Sequence, residues 1–102
     1  MKLLTKEIEK KIPPLYSTEH VATEEKTVAV KFFNPTGSGT WYVVEGEKLE
    51  DGDWRFFGLV DLFEKEWGYF MLSELQSVRG QWGLGIERDR HFGNPKISTI
   101  GA

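Results

Sequence analysis

The spacing of apolar positions changes character along the chain, and each change marks an element. Ile8 and Ile12 stand four apart behind Thr5, a residue type that caps helices, and Pro13-Pro14 closes the segment. A helix of about two turns is predicted over residues 6–12. So short a helix does not persist alone, so Leu4, Ile8, Ile12, Leu15 and Tyr16 are expected to be held against a sheet. From Thr27 the period becomes two, with Val28, Val30 and Phe32 alternating against Ala29, Lys31 and Phe33, which predicts a strand over 27–33. The loop Asn34-Pro35-Thr36-Gly37-Ser38-Gly39 leads into a second strand over 41–45. Asp51-Gly52, a dipeptide suited to the positive φ of a tight turn, precedes a third strand over 54–62, and a fourth covers 67–71. Ser73-Glu74-Leu75-Gln76 matches the S-x-x-Q capping box and predicts a helix running to about Arg79. A fifth strand is read over 84–92, and the tail 93–102 reads as mobile. The sum is a single domain over residues 1–102. Its class is α+β, an antiparallel sheet of four or five strands in a meander with two short helices packed on one face.

Composition narrows what such a domain can do. At 102 residues there is little room for a substrate cleft of about 300–1,000 Å³. The absence of cysteine excludes a disulfide scaffold, a thiolate zinc site and a Cys nucleophile. A net charge of -3 argues against a chain held on nucleic acid by phosphate neutralisation, although Arg79, Arg88 and Arg90 gather near one end. No signal peptide is read at Met1-Lys2-Leu3-Leu4-Thr5-Lys6, and the longest uncharged stretch, 32–44, holds Asn34, Pro35 and two glycines, so no membrane span is expected. The expectation is a cytoplasmic protein.

Three groups of residues carry candidate chemistry. If 84–92 is one strand, Glu87, Asp89 and His91 project from a single face, where two carboxylates and an imidazole can hold a divalent metal or act as acid and base. The competing interpretation is a charged rim of exposed ion pairs, with Arg88 ordering the sheet edge. Asp61, Glu64 and Glu66 read as turn carboxylates rather than a glycosidase pair. The glycines of 36–40 and of Gly80-x-x-Gly83-x-Gly85 read as turn chemistry, since neither has the Lys or the strand-to-helix order of a phosphate loop. No cofactor is expected.

The middle of the chain holds the surplus. Eleven of the 14 aromatics lie between Phe32 and Phe70, more than one face of a small sheet can enclose, so the second face is expected to be apolar in part and either to meet a partner or a second copy or to be covered by the loops and tail. Residues 45–66 carry eight acidic side chains against three basic ones, which suits a basic protein partner. The expected partner surface is Trp41, Glu45, Glu47, Asp51, Asp53 and Trp54, with Arg88.

Three runs of residues carry a family likeness. Phe56-Phe57-Gly58-Leu59-Val60, Glu66-Trp67-Gly68-Tyr69-Phe70-Met71-Leu72-Ser73-Glu74-Leu75 and Leu84-Gly85-Ile86-Glu87-Arg88-Asp89 resemble the bacterial domain-of-unknown-function family 2958. The likeness extends from Leu3 to Phe92. Trp67 stands where a Leu is usual, and Gly85 where a Pro is. The resemblance implies a small protein of plasmids, phages and integrative elements, in a family with no established activity or catalytic residues. The expected function is therefore a non-enzymatic accessory protein that binds a protein partner, with inhibition of a host defence system such as CRISPR or restriction as one form of it. The alternative is a small metal-binding or metal-dependent enzyme using Glu87, Asp89 and His91.

Overall fold

A computed structural model of the chain describes residues 2–100. In chain order the elements are α1 (Lys6–Lys11), β1 (Val30–Phe33), β2 (Thr40–Lys48), β3 (Trp54–Asp61), β4 (Lys65–Met71), α2 (Leu72–Ser77) and β5 (Glu87–Arg88). Single 3-10 turns occur at Thr23–Glu25, Gln81–Gly83 and Ile97–Thr99. No helix among the described residues is long and apolar enough to cross a membrane. The Thr5 hydroxyl caps α1, accepting the Ile8 N–H at 3.3 Å, and Ile12 is already extended, one residue ahead of the prolines.

The predicted α+β architecture is present. All strands pair antiparallel, in the spatial order β4-β3-β2-β1-β5. β1 to β4 form the meander, and the connection through α2 brings β5 back beside β1. Register places Val30, Phe32, Trp41, Val43, Trp54, Phe56 and Phe70 on one face. Their rings pack in a row, with centroids 5.9 Å apart for Phe32–Phe56 and 5.6 Å for Phe56–Phe70. Leu3, Leu4, Ile12, Leu72, Leu75 and Ile86 close this core from the helical side. Gly46 lets α1 seat on the sheet. A Cβ there would lie 2.9 Å from Ile12 Cγ2, and the Gly46 N–H donates to the Pro13 carbonyl at 2.9 Å.

The second face is apolar in part, as expected, and only partly covered: Tyr42, Phe57 and Trp67 are half-buried and Tyr69 is exposed. Phe57 packs on Trp67 and Tyr69 with ring centroids 5.6 and 5.0 Å away. Val28, Val44 and Leu59 are buried outside the main cluster. The chain reaches this face after Pro13, because β2 continues past the end of β1 and leaves its edge open to residues 13–18.

Several expected boundaries move. A bulge between Val43 and Glu45 adds one residue to β2, so Glu45 pairs with Phe57 on the second face instead of sharing the face of Trp41 and Val43. α2 starts before the Ser73 box. Its N-cap is Met71, whose N–H donates to Glu74 Oε1 at 2.8 Å, while the Ser73 N–H donates to Asp53 Oδ1 at 3.0 Å. β5 shrinks to two residues because Asp89 begins a turn, accepting the His91 N–H at 3.0 Å. The tail expected to be mobile makes hydrogen bonds to the chain leading into β1 and the turn before it, and two of its residues, 101–102, lie outside the described ones. Val28 donates to the Pro95 carbonyl at 2.8 Å, Ile97 donates to the Lys26 carbonyl at 2.9 Å, and Asn94 Nδ2 donates to the Val28 and Ala29 carbonyls.

Candidate partner-binding surface

Most of the expected partner residues serve the fold itself. Trp41 and Trp54 are core residues, 8% and 7% exposed, because register turns both towards the helices. Asp53 belongs to the cap of α2. Hydrogen bonds from Ser73, helped by the Trp54 N–H and opposed by desolvation, hold its carboxyl below the usual range. Arg88 lies on the core face of β5, and its Nη1 donates to the Lys2 and Leu3 carbonyls at 2.5 and 2.9 Å, so it fastens the N-terminal segment. Glu47 and Asp51 are exposed.

Glu45 is the least free of the set, at 4% exposure. Its Oε1 accepts the Tyr16 N–H at 2.7 Å, and its Oε2 accepts the Thr18 N–H at 3.0 Å and the Thr18 hydroxyl. Lys26 Nζ, also buried, donates to the Thr18 carbonyl and hydroxyl at 2.5 and 2.9 Å. Burial alone would raise the Glu45 carboxyl. The bonds from Thr18 and Tyr16, with the nearby Lys26 charge, outweigh it and hold the group below its ordinary value. One carboxylate thus pins a whole loop onto the second face. At the loop's crown the Tyr16 side chain hydrogen-bonds Tyr69, which pushes the Tyr69 phenol up.

Glu87, Asp89 and His91 line one shallow cleft with Lys31, Arg88 and Arg90, but Asp89 pairs with Lys31 at 3.4 Å and the turn that follows carries His91 out of strand alternation. Among the described residues no three His, Cys, Asp or Glu side chains are grouped to hold a metal ion. Two of the three arginines are similarly engaged, since Arg79 Nη1 donates to the Gln76 and Val78 carbonyls at 2.6 and 2.7 Å and Arg88 is bound as described.

Two features escaped the sequence pattern. A groove of about 640 Å³ opens between the N-terminal segment, α2 and the chain leading to β5, larger than 102 residues led us to expect. Leu4, Trp54, Leu75 and Ile86 line it with charged Lys2, Glu9, Lys48, Arg79 and Glu87, and among the described residues no Ser, Thr, Cys or His lines it. The second feature is an apolar end to the sheet. Phe63 is 99% exposed in the β3–β4 turn, Trp82 is 85% exposed in the Gln81–Gly83 turn, and Leu62 and Leu84 are exposed beside them. The loop of residues 34–39 links the two sides. A Cβ on Gly39 would lie 2.9 Å from Leu62 Cδ2, and one on Gly80 would lie 2.1 Å from Thr36 Oγ1. The available signal was local: an aromatic among Asp61, Glu64 and Glu66, and a Trp bracketed by Gly80 and Gly83.

A model of the protein-of-unknown-function family DUF2958 matches residues 3–99 of the chain. The chain belongs to the DUF2958 family. No curated protein and no solved structure matches it. In this DUF2958 domain the sheet, its helices and the tail as far as Thr99 fall inside the matched span, as do Phe63 and Trp82. Asp61, Glu64 and Glu66 set carboxylates around the exposed Phe63.

Proposed function

We propose that this DUF2958 protein is a non-enzymatic binding protein that captures a protein partner through the apolar end formed by Leu62, Phe63, Trp82 and Leu84. The observation that carries the reading is Trp82. It sits in the left-handed region at φ 59°, which costs a side-chain-bearing residue about 1–2 kcal/mol, and at 85% exposure it returns almost no burial to the fold. A bulky residue held at a cost and left in solvent is accounted for by a partner that buries it. Phe63, at 99% exposure, supports the same reading from the other side of that end. The mobile-element setting implied by the family resemblance makes a component of a host defence system, of the CRISPR or restriction kind, the partner class to test first.

The test compares affinity capture from the native host by the wild type and by Phe63→Ser with Trp82→Gly, followed by calorimetric titration of the purified partner. Loss of both aromatics is expected to weaken binding by about tenfold or more. A partner bound equally well by both forms refutes the reading.

A further inference from the structure

We infer that the protein self-associates through the free edge of β4, which pairs antiparallel with β4 of a second copy about a two-fold axis at Gly68. The two edges of the sheet are treated unequally. β5 is two residues long and ends in a turn, a blunted edge of the kind that discourages pairing. β4 is seven residues long, holds no proline, pairs with β3 without a bulge and is uncharged from Trp67 to Met71. Its outward main-chain groups can be identified. The Met71 N–H donates to Glu74, so Arg55↔Met71 is not a hydrogen-bonded pair, and alternation turns the N–H and C=O of Trp67 and Tyr69 towards the open side.

Gly68 then needs a reason. It lies opposite Gly58, which has one, since a Cβ on Gly58 would sit 1.9 Å from the Tyr42 carbonyl oxygen. A Cβ on Gly68 meets nothing within 4 Å, and its φ is not left-handed, so nothing in the chain's own fold requires glycine there. Glycine in a strand weakens it and marks the close approach of another backbone. A dyad at Gly68 supplies that backbone. It makes Gly68↔Gly68 a non-hydrogen-bonded pair with Cα atoms about 4.5 Å apart. It also sets Trp67 of each copy opposite Tyr69 of the other, extending the Phe57–Trp67–Tyr69 ring contacts across the junction. Shifting the dyad to Glu66 would instead oppose two carboxylates.

The chain has no cysteine, so Gly68→Cys introduces a single thiol at the axis, within disulfide reach of its mate. Under a mild oxidant it should form a covalent dimer faster than Ser98→Cys, an exposed control outside the sheet. In sedimentation equilibrium the wild type should rise towards twice the monomer mass with concentration. Trp67→Lys should raise the dissociation constant by about tenfold or more. Gly68→Ala, whose added atom meets open space, confirms by circular dichroism that this position tolerates a side chain in the folded monomer. A wild type that stays monomeric at the highest concentration overturns the proposal, as does a Gly68→Cys thiol no quicker to crosslink than the control. Uptake of an extended peptide along β4 by a monomeric wild type would assign the edge to another protein and also overturn it.

Discussion

Replacing Glu45 by Gln tests whether one buried carboxylate holds the loop of residues 13–18 on the second face. The carboxylate accepts three donors, the N–H groups of Tyr16 and Thr18 and the Thr18 hydroxyl, with buried Lys26 on the far side of Thr18. Glutamine keeps the shape but not the charge, and its NH₂ turns a donor towards donors. Hydrogen bonds to a charged group contribute about 1.5–3 kcal/mol, so the loss should be about 2–3 kcal/mol. In a domain of this size that lowers Tm by roughly 10–15 °C. Urea unfolding followed by circular dichroism gives the free energy directly. The pH dependence gives an independent sign. The folded carboxyl lies below its ordinary 4.5, so its contribution is fully present above that value and is lost as pH falls through the lowered folded one. The gap between wild type and Glu45→Gln should therefore narrow on acidification. A loss below about 0.5 kcal/mol, or a gap that ignores pH, would refute the latch.

The two facing glycines should respond in opposite ways. Gly58→Ala forces a Cβ to 1.9 Å from the Tyr42 carbonyl and should cost about 3 kcal/mol in urea, whereas Gly68→Ala should leave the dilute monomer as stable or about 0.5 kcal/mol more so. Arg88→Met removes the guanidinium that binds the Lys2 and Leu3 carbonyls. It should cost about 2 kcal/mol and speed amide exchange in residues 3–5 while that of β2 and β3 changes little, and unchanged exchange there would contradict the clamp.

What the sequence determined by itself is what neighbours along the chain decide. Thr5 with the two prolines bounds α1, Asp51-Gly52 turns the chain with Gly52 at φ 90°, and strict alternation marks the strands of the meander. Family membership was legible too, in runs of a few residues each. Tertiary structure decided where each acidic side chain goes. Alternation counted from Trp41 puts Glu45 on the core face, and one extra residue at the bulge sends it to the other, because period two fixes relative sides but not a slip in register. Asp53 looked like free surface charge until a helix twenty positions later brought the Ser73 N–H to its carboxylate, and Arg88 found its carbonyls more than eighty positions away. The same distance in sequence hid the site. Phe63 and Trp82 fall towards the same end of the sheet because β3 ends there and the chain enters β5 there, a relation set by strand pairing and by no local pattern.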